Sequence, residues 1–116
     1  MRSLKRRIRN LDIKRRLRWW MQRRIRGFDD TVTWSLDWHI AQYILPRLKL
    51  FRDKTNGYPT DFDSLEKWQE CIDKMIFSMQ AYSDGLWEHY GEPKDYFDRV
   101  EEGILLFGKY FGHLWW

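Results

Sequence analysis

Two adjacent indoles flanked by guanidinium groups are the part of this chain best equipped to engage a foreign molecule. Trp19 and Trp20 stand among Arg15, Arg16, Arg18, Arg23 and Arg24. A guanidinium presents a planar fork of N–H donors that pairs bidentately with phosphate. An indole face stacks on a nucleobase, worth about 1–3 kcal/mol per base. Together they predict an element that binds a polyanion, either nucleic acid or a nucleotide, through contacts that salt weakens steeply. Two other uses fit the same residues. The arginines can neutralise an acidic body in their own chain, with Leu17 and Trp20 packed on it. Alternatively the segment can lie on an anionic membrane surface as a basic amphipathic helix, with Trp at the interface.

Trp34, Asp37 and Trp38 form a second group, spaced i, i+3 and i+4 so that one helical face carries all three. An Asp between two Trp is placed to receive indole N–H groups, which seek partners when buried. The alternative is that Asp37 holds a ligand's polar edge while the indoles stack on it. His39 points to another side.

The third group is acidic. Glu66, Glu70 and Asp73 share a helical face, and Asp98, Glu101 and Glu102 cluster further on. Facing one another, two such helices offer the oxygen ligands that Mg²⁺ takes. The Glu70-x-x-Asp73 spacing resembles half of the metal site of all-helical nucleotide pyrophosphohydrolases. The other half, a Glu-Glu-x-x-Glu run, is absent, since Asp98-x-x-Glu101-Glu102 has another order. A solvated helix face accounts for these acids equally well, so the expectation is no metal, no cofactor and no catalytic residue. Mg²⁺-dependent nucleotide hydrolysis stands as the alternative. Cys71, beside Ile72, reads as a small buried hydrophobe rather than a nucleophile. His39, His89 and His113 lack ligand spacing, and there is no Gly-rich phosphate loop and no Gly-x-Ser-x-Gly elbow.

The charge distribution says how these groups are carried. Of 21 Lys and Arg, 12 lie in the first 26 residues, opposed there by Asp12 alone, a formal +11; residues 27–116 hold 9 bases against 16 acids, or −7. The chain reads as a basic arm, residues 1–26, on a Trp-rich acidic body, residues 27–116. A single cysteine excludes an internal disulfide and fits a reducing compartment. No apolar run approaches the roughly 20 residues of a membrane span, and the N-terminus lacks the apolar core of a secretory signal. The expected setting is soluble and cytoplasmic.

Apolar residues recur at helical spacing almost throughout, with hardly a strand signal. In the arm, Leu4, Ile8 and Leu11 share one stripe, and Ile13, Leu17, Trp20, Met21 and Ile25 continue on a shifted one. This fits one helix, or two short ones meeting near Asn10–Asp12. Gly27 is placed to stop it, and Phe28-Asp29-Asp30-Thr31 offers caps for a helix running to about Asp53. That second helix is apolar nearly all round, as a bundle's middle helix is, and Pro46 should kink it. After the loop Thr55–Thr60, Asp63 with Glu66 resembles a capping box. The third helix directs Leu65, Trp68, Ile72, Met75, Ile76, Met79 and Tyr82 to the core. It ends at Asp84-Gly85 or at Gly91. Pro93 suits the first turn of a fourth helix, carrying Tyr96, Phe97, Val100, Ile104, Phe107, Tyr110, Phe111 and Leu114. The expected fold is all-α: a small antiparallel three-helix bundle plus a basic N-terminal helical arm.

Several short blocks also occur in a familiar order. Arg26-Gly27-Phe28-Asp29-Asp30, Thr33-Trp34-Ser35-Leu36-Asp37-Trp38 and Ile44-Leu45-Pro46-Arg47-Leu48 come first. Gly57-Tyr58-Pro59, Trp68, Asp73-Lys74-Met75-Ile76-Phe77 and Lys109-Tyr110-Phe111 follow. Over residues 26–116 the chain resembles a family of small proteins encoded by tailed bacteriophages. The resemblance implies action inside an infected bacterium and brings no activity, cofactor or catalytic residue with it. The resulting expectation is a non-enzymatic protein that interferes with a host process or defence by binding a polyanion or a host protein.

Overall fold

The computed structural model of the chain describes residues 2–116, with side chains from Leu4 onward; Met1, the first residue of the expected arm, lies outside them. All regular structure among the described residues is helical. Helices α1 (Arg2–Arg26), α2 (Thr31–Trp34), α3 (Leu36–Lys54), α4 (Leu65–Asp84) and α5 (Lys94–Lys109) follow in order, with 3-10 turns at Leu86–His89 and Phe111–His113. The chain divides into two compact units, the first ending at Leu36 and the second spanning Asp37–Trp116.

In the first unit the arm is one continuous helix of 25 residues with no break near Asn10–Asp12. Gly27, at φ +84°, closes it, donating its N–H to the Arg23 carbonyl at 3.0 Å; this left-handed conformation is why glycine suits the position. The expected long helix from Asp29–Thr31 to Asp53 is interrupted. Only Thr31–Trp34 is helical before Ser35, whose φ −131° and ψ 66° break the hydrogen-bond ladder ahead of α3.

In the second unit α3, α4 and α5 contribute to one core. Ala41, Leu45, Leu48 and Phe51 of α3 meet Trp68, Cys71, Ile72, Met75 and Met79 of α4, with Ile104 and Phe107 of α5 packed against them. The α3 helix continues through Pro46. The N-cap of α4 is Ser64, not Asp63: its hydroxyl accepts the Lys67 N–H at 3.3 Å. Pro93 occupies the N-cap position of α5 and lies just outside the helix. Phe62, Trp68 and Tyr110 form an aromatic triangle with ring centroids 5.2, 5.2 and 5.5 Å apart. These tilted and edge-on arrangements are the favoured ones for aromatic pairs.

Cross-helix bonds define the directions. Ser78 of α4 donates to the Val100 carbonyl of α5 at 2.6 Å, and Lys74 pairs with Glu102 at 2.8 Å. Later residues of α5 therefore meet earlier residues of α4, an antiparallel pair. The pair approaches most closely at buried Gly103, where a Cβ would strike the Ser78 side chain and the Lys74 carbonyl. Trp38 near the start of α3 bonds to Ser83 near the end of α4, and Arg52 near the end of α3 grips Asp73, so α3 opposes α4 as well.

Candidate polyanion-binding helix

The arginines nominated from sequence divide by what holds them. Arg23 is engaged internally: its guanidinium lies 2.5 Å from the carboxylate of buried Asp29. Arg26, one turn on, pairs with Asp30 at 2.7 Å. Gln22 completes the clasp, donating to the Asp30 carboxylate at 2.8 Å and accepting the Asp30 N–H at 2.9 Å. Asp29 also accepts the Thr31 hydroxyl and, at 2.9 Å, the Thr31 N–H. Arg15, Arg16, Arg18 and Arg24 are exposed and make no ion pair among the described residues.

The paired indoles divide in the same way. Trp19 is half-buried and meets Trp34 edge-on, with ring centroids 5.8 Å apart. Trp20 is 52% exposed, with the Arg24 guanidinium 5.6 Å from its ring centroid. At about 100° per residue, Trp19, Gln22, Arg23 and Arg26 cluster on the side that holds the 28–34 segment. Trp20 and Arg24 lie well round from it, on the side that also carries Arg6, Arg9, Ile13, Arg16 and Leu17. Arg6 and Arg9 were not nominated from sequence. They follow from extending the 3.6-residue period backward from Trp20 once α1 is known to be continuous.

The Trp34–Asp37–Trp38 face does not form as expected, because the break at Ser35 destroys the helical register between Trp34 and the other two. Trp34 is 67% exposed beyond its contact with Trp19. Asp37 is exposed and takes no indole proton; the Trp38 N–H goes instead to the Ser83 carbonyl at 2.9 Å, and its ring meets His39 edge-on at 4.9 Å. Trp38 is thus a helix-to-helix tie. Trp38→Phe should cost about 1 kcal/mol of stability in chemical denaturation, the ordinary net worth of one hydrogen bond, because Gln42 still donates to the same carbonyl at 3.0 Å and leaves it satisfied.

The nominated acids of α4 and α5 do not converge: Asp73 turns to α3, Glu102 is taken by Lys74, and Asp98 and Glu101 are exposed. Arg52 holds Asp73 with two donors, at 2.5 and 3.2 Å, and Lys74 holds Glu102. Asp73, Lys74, Phe77, Arg99 and Glu102 line a cleft of about 200 Å³, with the Arg99 guanidinium 4.0 Å from the Phe77 ring centroid. No group of three or more His, Cys, Asp or Glu side chains is arranged to hold a metal ion among the described residues. Cys71 is buried, and burial raises its thiol pKa, so the thiolate is disfavoured there.

Both aspartates of the clasp titrate below their ordinary 3.8, Asp29 through the Thr31 hydroxyl first and then Arg23, Asp30 through Gln22 and then Arg26. A carboxyl whose folded pKa is depressed lends stability above its unfolded pKa and withdraws it as pH falls through the folded value. The clasp should therefore stay closed from neutral pH down to about 4 and open only below 3.8. The Thr31 amide resonance in an NMR pH titration is the readout; movement centred at pH 5 or above would contradict the assignment.

No protein-family model, no curated protein and no solved structure matches this chain.

Proposed function

We propose that this chain is a non-enzymatic binding protein whose α1 grips nucleic acid through its exposed arginines and the outward indole of Trp20. The observation that carries this reading is the disposition of α1. Arg15, Arg16, Arg18 and Arg24 are exposed and make no ion pair among the described residues, and Arg16 and Arg24 share the side of α1 that carries half-exposed Trp20. A bidentate donor next to a stacking platform is the equipment for phosphate plus base.

The continuity of α1 favours nucleic acid over a membrane surface. Leu4, Ile8 and Leu11 fall on one side of the helix, and Ile13, Leu17 and Trp20 fall about 180° away. An interfacial helix needs a single apolar face along its length, and α1 has none. Its basic residues surround it, which suits a ligand that presents phosphates on more than one side.

The bundle of α3, α4 and α5, read as an antiparallel three-helix body, supplies a rigid carrier of opposite charge. Resemblance of residues 26–116 to small proteins of tailed phages supports a role inside an infected bacterial cytoplasm, interfering with a host process or defence.

Titrating the full chain against a labelled 20-nucleotide single strand, a duplex of the same sequence and anionic vesicles tests this directly. Nucleic-acid affinity should fall at least about fiftyfold between 50 and 200 mM salt, the effect of four phosphate contacts on a single strand. Binding that ignores salt, or that appears only with vesicles, would sink the reading.

A further inference from the structure

Within the unit Asp37–Trp116, the loop after α3 and the last residues of the chain enclose a cleft of about 240 Å³. Tyr58, Trp115 and Trp116, exposed by 46, 75 and 72%, stand at its rim with Asn56 and His113, and Trp68 of α4 closes its floor. Single exposed aromatics are ordinary on a protein surface. These three differ because they surround one concavity whose floor carries an unused donor. Trp68 is 1% exposed and fixed against Phe62 and Tyr110, with ring centroids 5.2 and 5.5 Å away. Its indole N–H meets no acceptor among the described residues. The polar side-chain atom that is both sealed and unpartnered among them is His89 Nε2, so the Trp68 N–H keeps an accessible edge, and the cleft it lines is this one. The rim is held in place. The Thr55 hydroxyl donates to the Gly57 carbonyl at 3.2 Å, the Phe62 N–H donates to the Pro59 carbonyl at 3.1 Å, and His113 sits edge-on to Tyr110 at 6.0 Å.

We infer that this cleft receives one unstacked nucleobase of a single strand. The aromatic rim offers stacking faces that any base can use. The Trp68 N–H is placed to donate to an acceptor on the base edge. The exposed Asn56 amide, which makes no hydrogen bond among the described residues, brings a donor and an acceptor for the rest of that edge. A flat heterocycle with donors and acceptors on its rim matches this set. Polyproline stacks on aromatic side chains but brings acceptors alone. A quaternary ammonium would face an N–H dipole with no carboxylate among the lining residues. In a duplex the base is stacked and paired, so the cleft selects single strands. The choice of a strand as the source of the base rests on the reading of α1 as a nucleic-acid grip, but the cleft contains no residue of α1 and can be tested apart from it.

The test follows the Trp68 indole N–H resonance by NMR in the ¹⁵N-labelled full chain. Uncharged nucleosides, which give arginines no phosphate to hold, should shift it saturably, and decaproline should not. A 20-nucleotide single strand should shift it as well, whereas an abasic strand of the same length and a duplex should leave it in place. Replacing Trp115 and Trp116 together with Ala should weaken single-strand binding by about five- to a hundredfold without changing its salt slope. Circular dichroism should show that variant folded, because both side chains are exposed. A resonance unmoved by a saturating single strand whose binding still falls with salt overturns the cleft and leaves the α1 grip standing. Nucleosides that shift it while strand binding ignores salt uphold the cleft and overturn the α1 grip. A response to decaproline but not to nucleosides, or an abasic strand as effective as the intact one, also overturns the inference.

Discussion

Replacing Arg15, Arg16, Arg18 and Arg24 together with Gln should flatten the salt dependence of oligonucleotide binding by about 3 in the slope of log K against log salt. The estimate follows from the counterions released per neutralised phosphate on a single strand, about 0.7 each. At 0.1 M salt the same four contacts correspond to a loss of affinity on the order of several hundredfold. Glutamine keeps helix propensity and side-chain length while removing charge, so far-UV circular dichroism should not change. Arg23→Gln is the internal control. Its guanidinium already holds Asp29, so it should leave the slope nearly unchanged and instead loosen the clasp. If the fourfold variant kept the parent slope, the exposed arginines would not be the phosphate contacts. Trp20→Ala complements it, with an expected cost of about 1–3 kcal/mol of binding that salt does not modulate.

The largest effect on the fold should come from a single methyl group. Gly103→Ala places a Cβ into the Ser78 side chain and the Lys74 carbonyl, and neither neighbour has an easy way out. The Ser78 hydroxyl is held by the Val100 carbonyl at 2.6 Å, and Lys74 presents backbone. The helices α4 and α5 must therefore separate along their closest contact. We expect a loss of about 3 kcal/mol, the upper end for overpacking, and a Tm lower by roughly 12–24 °C for a unit of this size. Gly108, also in α5, has nothing within 4 Å of the same added atom. Gly108→Ala should stabilise by about 0.5–1 kcal/mol through helix propensity alone. Opposite signs from one substitution five residues apart on one helix would tie the cost to the α4–α5 contact. Equal effects would refute that account.

Much of this protein was legible before any coordinates. The charge division is compositional, and so is the pairing of Arg with Trp. The α4 core positions Trp68, Ile72, Met75 and Met79 follow from a period that only a helix satisfies, and all four are buried. Gly27 stopped α1 where its residue type suggested, because a left-handed closure there needs no side chain.

Misreadings arose where a neighbour distant in sequence, or a competing local bond, outweighed the pattern. Ser35 interrupts what periodicity joins from Trp34 to Trp38, in a segment where Asp29 and Asp30 bond back to α1. The Trp38 N–H bypasses Asp37 because Ser83, 45 positions away, offers a carbonyl. One-residue spacing likewise could not separate Asp63 from Ser64 as a cap, since both types accept the same bond.

Residue types and intervals by themselves determined that the chain is helical, that its front is cationic and which α4 side chains turn inward, because propensity, charge and periodicity are properties of the covalent sequence. Tertiary structure alone decided which arginines meet carboxylates, which indole faces outward and where α4 and α5 touch. Those outcomes depend on distances between residues far apart along the chain, and no interval in the sequence encodes them.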